Sequence, residues 1–138
     1  MKGYQIFSLK KDTLIGVLEG PPNTPYENGY FLFKMLFPDD FPSKPPKVII
    51  ISKIFHPNIS EKGEVSFNIL QDNILEERWS PPLWSFDKTI YPIQSLLDEP
   101  NPDNFLNEKA GILFKENRSI YDETVRSYTF LFPNYSKF

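Results

Sequence analysis

Residues 30–52 read YFLFKMLFPDDFPSKPPKVIIIS, and this stretch decides the fold. The aromatic-rich run Tyr30–Phe37 and the apolar run Lys47–Ser52 each have the length and composition of a β-strand. The prolines of Phe41–Pro46 cannot donate to a strand ladder, so this segment is predicted to be a rigid extended loop. Because the second run is apolar without a break, we expect that strand to be covered on both faces.

Two further strands are predicted upstream of this pair. Tyr4–Leu9 and Thr13–Glu19 are separated by a short polar turn, which is typical of a hairpin. Gly20–Gly29 is interrupted by prolines and glycines, so it is predicted to be a loop. Four consecutive strands joined by short connections predict an antiparallel meander.

The second half of the chain changes to a helical period. A first helix is predicted to open at Ser85, a suitable N-cap. Pro92 lies within this segment, so it either kinks the helix or marks a late start. Its apolar positions recur on one face. They are Ile90, Ile93, Leu96 and Leu97.

Two more helices are predicted at Asn107–Lys115 and Ser119–Phe132. Residues 53–82 carry few helix signals, and an irregular stretch of this length in a small protein is usually functional. The predicted fold class is α+β, with a four-stranded antiparallel meander sheet followed by helices.

The composition of the chain excludes several classes of protein and of functional site. The 138 residues, predicted to form one domain (1–138), are 40% apolar and 16% aromatic, which excludes a disordered chain. A net charge of −3 argues against broad binding to nucleic acid or to an anionic membrane surface. The absence of cysteine excludes disulfides, thiolate metal sites and a thiol nucleophile, and a single histidine excludes a multi-histidine metal site. No apolar run approaches the length of a membrane span, so we expect a cytoplasmic or nuclear protein, or both.

The clearest candidate for chemistry is His56-Pro57-Asn58. One interpretation is a turn stabilised by its proline. The other is that Asn58 offers amide donors to an oxyanion, while His56 holds the turn by side-chain to backbone bonds rather than transferring protons.

Six motifs in order give the chain a resemblance to the ubiquitin-conjugating enzyme family, over about residues 13–132. Each corresponds to a motif of that family. They are Gly20-Pro21-Pro22 with Thr24-Pro25-Tyr26 and Gly29; Phe37-Pro38 with Phe41–Pro46; His56-Pro57-Asn58; Gly63–Leu70; Trp79-Ser80-Pro81; and Pro100-Asn101-Pro102-Asp103. The resemblance implies the ubiquitin-conjugating enzyme fold, which agrees with the meander and helices predicted from periodicity.

The same resemblance implies a function. Members accept ubiquitin or a ubiquitin-like protein from an activating enzyme and pass it to substrate lysines. It makes Asn58 the oxyanion donor, and it places Asn104 where many relatives carry an aspartate that gates the incoming lysine. No metal, nucleotide or organic cofactor is implied, because ATP is used by the upstream activating enzyme.

Ser66 stands at the family's catalytic cysteine position. A hydroxyl is a poor nucleophile without a partner base, so ordinary thioester turnover is not expected from this chain. Ser66 is either an introduced replacement or native to a member that has lost its chemistry, and the alternative function is a non-catalytic module that binds ubiquitin or a partner. A hydrolase pair of Ser66 with His56 is disfavoured, because no G-x-S-x-G elbow and no orienting carboxylate are evident.

Partner surfaces also follow from the resemblance. Ligases of the family usually bind the proline loop, represented here by Ser43 and Lys44, and the W-S-P loop with Pro81 and Pro82. Ser43 replaces a residue that is commonly aromatic, so we expect weak ligase binding. The family's N-terminal helix is lacking in the sequence as it stands, which puts recognition by the activating enzyme in doubt.

Overall fold

The computed structural model describes residues 3–41, 43–65 and 86–131, with side chains up to Thr129. Within these residues, four strands come first and three helices follow. The strands are β1 (Tyr4–Lys10), β2 (Thr13–Glu19), β3 (Tyr30–Leu36) and β4 (Lys47–Ile50). The helices are α1 (Phe86–Asp98), α2 (Glu108–Glu116) and α3 (Arg118–Leu131).

The strands form one sheet in the order β1-β2-β3-β4, and each strand is antiparallel to its neighbours. The predicted antiparallel meander is therefore confirmed. β2 pairs with β3 over its whole length, from Thr13 opposite Leu36 to Glu19 opposite Tyr30. β1 lies at an edge and its register shifts between Ile6 and Ser8, which marks a β-bulge.

Alternation along the two central strands builds one face of the core. Successive side chains of a strand point to opposite faces, so every second residue turns inward. These inward residues meet the buried stripes of α1 and α3, and together they form a single cluster. The cluster includes Leu14, Leu18, Phe31, Phe33, Met35, Val48, Ile50, Ile90, Ile93, Leu96, Leu97, Tyr121 and Val125.

β4 differs from its prediction. Val48 and Ile50 are buried, whereas Lys47 is exposed and Ile49 is only partly buried. The expectation that both faces are covered is wrong for this reason. β4 alternates like the other strands, because a continuous apolar run does not reveal how many layers cover the sheet.

The helices follow the predicted stripes closely. Pro92 lies inside α1, six residues after its first residue, so the late start that Pro92 allowed is wrong. The N-cap of α2 is Asn107, whose Oδ1 accepts a hydrogen bond from Ala110 N at 3.1 Å. Ser85, the predicted cap of α1, lies outside the described residues. No helix of the described segments is both long and apolar enough to cross a membrane.

Gly63 joins β4 to the segment that follows the H-P-N turn. Its φ is +88°, and a Cβ built on it would lie 1.9 Å from Ile50 O. Its backbone O also accepts a hydrogen bond from Ile50 N at 2.8 Å. Only glycine fits here, because a side chain would both strain the backbone and displace β4.

We therefore expect Gly63→Ala to lower the free energy of unfolding by about 3 kcal/mol, since it combines backbone strain with a steric clash. Urea denaturation measures this change. Lys11→Gly is the control, because Lys11 also has a positive φ, +50°, in an exposed turn. That variant should stay within about 1 kcal/mol of the parent. If Gly63→Ala were as stable as the parent, the requirement for glycine at position 63 would be contradicted.

Candidate functional site: the buried H-P-N turn

The H-P-N turn follows β4, and its polar side chains are removed from solvent. His56, Asn58 and Ile59 are 0% exposed, and Phe55 is 2% exposed. Side chains this buried cannot contact a substrate without a change of conformation. They act through the groups that they hold in place.

His56 is held through both ring nitrogens. Its Nε2 lies 2.6 Å from Leu96 O in α1, and its Nδ1 accepts a hydrogen bond from Asn58 N at 2.9 Å. A carbonyl oxygen can only accept, so Nε2 carries the proton and Nδ1 is the bare nitrogen. Both bonds join side chain to backbone, as the sequence analysis expected of His56.

Burial also fixes the charge of His56. It lowers the pKa of His56 from 6.5 to about 4, while the hydrogen bond to Leu96 O raises that pKa in part. The imidazole is therefore neutral at physiological pH, and both of its nitrogens are occupied. In this state it can neither take a proton from a neighbouring group nor donate one.

Asn58 connects the turn to the loop before α2. Its Nδ2 donates to Asn101 O at 2.9 Å and to Asn104 O at 2.7 Å. Its Oδ1 accepts from Asn101 N at 2.8 Å. Both amide hydrogens are therefore in use, and the predicted oxyanion role would require one of these bonds to break. That role stays a prediction.

Pro57 extends the connection to α2. Its carbonyl oxygen accepts hydrogen bonds from Leu106 N at 2.8 Å and from Asn107 N at 3.1 Å. Asn107 is the N-cap of α2, so one peptide oxygen of the turn fixes where this helix begins. The segment from Asn101 to Asn107 is thus held by Pro57 and Asn58 together.

A pair of tyrosines supports the turn from its other side. Tyr26 OH donates to Phe55 O at 2.6 Å, and Tyr121 OH lies 2.7 Å from Tyr26 OH. A hydroxyl has one hydrogen, so Tyr121 must donate to Tyr26. Burial raises the pKa of Tyr121 to about 12 and that of Tyr26 well above its ordinary value, so both stay protonated. Sequence reasoning gave neither residue a role at the turn.

Of the other predicted catalytic positions, Asn104 contacts this network through its backbone. The backbone oxygen of Asn104 is bonded to Asn58, and Asn104 itself is exposed. Val65, the residue before Ser66 in the sequence, pairs with Ile59, which directly follows Asn58. Ser66 itself lies outside the described residues, so its distance from Asn58 stays a prediction.

Two of the four predicted ligase positions, Ser43 and Lys44, lie within the described residues. Ser43 and Lys44 are exposed, and both contact Asp40. Ser43 N donates to Asp40 O at 2.7 Å, and Lys44 Nζ lies 3.5 Å from Asp40 Oδ2. Exposed ion pairs of this kind contribute less than about 1 kcal/mol. Pro81 and Pro82 lie outside the described residues.

Comparison with known proteins identifies the family to which the chain belongs. The model of the family described as "Ubiquitin-conjugating enzyme" matches residues 2–129. This match spans most of the sequence and includes the sheet, the H-P-N turn and nearly all of the helical part. The chain belongs to the ubiquitin-conjugating enzyme family.

Individual relatives agree with this assignment. The chain is 42% identical over 113 residues to "Probable ubiquitin-conjugating enzyme E2 31" of Arabidopsis thaliana, covering 82% of this chain and 70% of that protein. It is also similar to the solved structure described as "Crystal structure of a putative ubiquitin conjugating enzyme from Plasmodium yoelii". That match has a TM-score of 0.79 and 32% identity, and it covers 94% of this chain and 80% of the other. The ubiquitin-conjugating enzyme fold predicted from the sequence is confirmed.

The lowered pKa of His56 predicts a specific pH dependence of stability. Between about pH 6.5 and pH 4 the unfolded state binds a proton that the folded state does not, so stability is lost as the pH falls through this window. The loss due to His56 should reach about 3 kcal/mol. Urea unfolding of the parent and of His56→Gln, from pH 7.5 to pH 4, measures it. The parent should be more stable than His56→Gln at pH 7.5, and this difference in the free energy of unfolding should become smaller as the pH falls to 4. A difference that stays constant with pH would contradict a neutral buried imidazole at His56.

The hydrogen bonds of Asn58 predict the effect of removing its amide. Asn58→Ala should lower the free energy of unfolding by about 2–4 kcal/mol, because three backbone groups of the 101–104 loop lose their partner. Hydrogen exchange at Asn101 N should accelerate, since that group donates to Asn58 Oδ1. Asn117→Ala is the control. Asn117 Oδ1 accepts from Ile120 N at an exposed helix start, so this variant should lose about 1 kcal/mol or less. Unchanged exchange at Asn101 in Asn58→Ala would exclude the holding role.

Proposed function

We propose that this protein is a carrier of the ubiquitin or ubiquitin-like modifier pathway whose Ser66 blocks ordinary turnover. With cysteine at position 66, it would accept the modifier from an activating enzyme and pass it to substrate lysines. The observation that carries the proposal is the complete hydrogen bonding of His56 and Asn58 in a member of this family. In this proposal the H-P-N turn is complete, whereas residue 66 is a serine in place of the family's cysteine.

The chemistry explains why the change matters. In the cysteine form, a thiolate attacks the carbonyl carbon of the activating enzyme's thioester. A new carbon–sulfur bond forms, the old one breaks, and the activating enzyme's thiolate leaves. A serine hydroxyl must lose its proton to a base during the same attack. His56 is the chain's only histidine, and it is buried with both ring nitrogens bonded, so it is not available as that base.

The hydrogen bonds of Asn58 support separate roles for Asn58 and Asn104. Asn58 would hold the 101–104 loop, and the exposed Asn104 would lie at the gate for the incoming lysine. An asparagine at the gate can hydrogen-bond the amine, but it cannot offer the negative charge of an aspartate. We therefore propose slower transfer to lysine than an Asn104→Asp form would give.

The partners of the pathway complete the proposal. They are ubiquitin or a ubiquitin-like protein, an activating enzyme and, weakly, a ligase. The ligase surface would include Ser43, Lys44, Pro81 and Pro82. The proposed location is the cytoplasm, the nucleus or both, where such partners would be met.

Ser66→Cys tests the function directly. Incubated with activating enzyme, ATP and ubiquitin or ubiquitin-like proteins, this variant should form an adduct that a thiol reductant releases, because it restores a thiol, which ionises far more readily than a hydroxyl. Non-reducing gel electrophoresis detects the adduct.

The chain has no cysteine of its own, so single-thiol controls are clean. Ser43→Cys, in the exposed proline loop, should form no such adduct, and neither should the parent. Failure of Ser66→Cys to load any modifier, together with measurable binding of ubiquitin to the parent, would reject the carrier and favour a non-catalytic binding module.

A further inference from the structure

Gly111 lies inside α2, where glycine is an unfavourable residue. A glycine in a helix interior loses more backbone freedom on folding than any other residue, and it has no side chain to pack. Gly111 is nevertheless buried within Glu108–Glu116. A glycine at such a position calls for a reason in the packing around it.

The ring of Phe105 supplies that reason. A Cβ built on Gly111 would lie 2.2 Å from Phe105 Cδ2 and 2.4 Å from its Cγ, so the ring lies directly against the backbone of α2. Lys115 is one turn further along the same face of the helix, and its Nζ lies 5.2 Å from the centroid of that ring. This distance is within the range of a cation–π contact. We call the surface formed by Gly111 and Lys115 the Phe105 seat.

The backbone of Phe105 is held on both sides of its Cα. The peptide group before it is held through Asn104 O, which accepts a hydrogen bond from Asn58 Nδ2 at 2.7 Å. The peptide group after it is held through Leu106 N, which donates to Pro57 O at 2.8 Å. A ring forced off the Phe105 seat must either turn into solvent or displace these peptide groups. In both cases the loop loses a fixed point next to Asn104.

We propose that Phe105 is a positioning residue for transfer of the modifier. Its ring, seated on Gly111, sets the place of Asn104 at the gate for the incoming lysine. This inference rests on the proposed function, because that function assigns Asn104 to the gate. Asn58 holds the carbonyl of Asn104, and the Phe105 seat holds the next residue from α2, so the exposed side chain of Asn104 starts from a backbone that is fixed from two directions.

The step that depends on this placement is discharge to lysine. In a Ser66→Cys form, the lysine amine attacks the carbonyl carbon of the thioester and an amide bond forms. The carbon–sulfur bond breaks, the thiolate at position 66 leaves, and the amine loses its proton to solvent. Loading brings no amine to the gate. A small displacement of a group that orients a reactant can slow a reaction strongly, so a shift of Asn104 affects discharge and spares loading.

Variants of the parent chain test the Phe105 seat without any transfer reaction. Gly111→Ala should lower the urea midpoint, although alanine normally stabilises a helix interior, because the added methyl group meets the ring. It should also accelerate hydrogen exchange at Leu106 N. In a Phe105→Ala chain the ring is gone, so adding Gly111→Ala should raise the urea midpoint instead. Ile112→Ala, at a 46% exposed position of α2, is the matched control and should leave exchange at Leu106 N unchanged.

The Ser66→Cys background tests the positioning role. Gly111→Ala and Phe105→Ala should each slow discharge to free lysine about tenfold and leave the rate of loading unchanged. The double variant should be no slower than Phe105→Ala alone, because both changes remove the same contact. Ile112→Ala should change neither rate. All rates are measured at a temperature at which each variant is folded.

The outcomes distinguish this inference from the proposed function. A higher urea midpoint for Gly111→Ala in the parent, additive slowing in the double variant, or equal slowing of loading and discharge would overturn the positioning role. If Gly111→Ala does not fold, Phe105→Ala decides, and an unchanged rate of discharge overturns that role. If Ser66→Cys loads and its Phe105→Ala variant discharges equally fast, only this inference fails. If Ser66→Cys loads no modifier, the proposed function fails and the positioning role fails with it, even where the urea midpoints agree with a ring seated on Gly111.

Discussion

The buried amide of Asn58 and the buried imidazole of His56 are the constraint on which the rest of the site depends. Each is 0% exposed, and each has its polar atoms bonded to backbone. Polar groups removed from water are stable only with such partners, and hydrogen bonds are directional where apolar contacts are not. The pair therefore fixes one geometry for the turn, for the end of α1 and for the loop that leads to α2. A purely apolar turn could pack in several ways.

The sheet and the helices could be predicted because their signals are local. Alternation in β2 and β3 and the stripe of α1 are properties of neighbouring residues, and the predicted boundaries of β1 to β3 lie within one residue of the observed ones. The errors occurred where local signals are ambiguous. The run Val48–Ile51 is compatible with one covered face or two, and Pro92 is compatible with a helix that starts before or after it. Tertiary packing determines how many faces of β4 are covered and where α1 begins.

The H-P-N motif could be found in the sequence, but the contacts of its side chains could not. The motif identified His56 and Asn58, yet the partner of His56 lies 40 residues away in α1, and the partners of Asn58 lie 43 and 46 residues away. Tyr26 and Tyr121 are separated by 95 residues. Tyr121 was predicted only to lie in the last helix, although its hydroxyl needs a partner once it is buried. That requirement was a signal in the sequence that it does more than fill space, but no periodicity could indicate which partner it has.

On the proposed function, the hydrogen-bond network of the H-P-N turn explains how this turn can be complete in a chain with serine at position 66. A cysteine at position 66 would depend less on a base than a serine does, because a free thiol has a pKa of about 8.5 and ionises far more readily than a hydroxyl. The turn can therefore use both nitrogens of its only imidazole for structure. A hydroxyl needs a base, and the neutral, fully bonded ring of His56 cannot serve as one. Loss of the transfer reaction would remove the need for a particular residue at position 66. It would not remove the need for His56 or Asn58, because replacing either of them leaves buried polar groups without partners. On the proposed function, the H-P-N turn therefore serves the fold whether or not residue 66 can react.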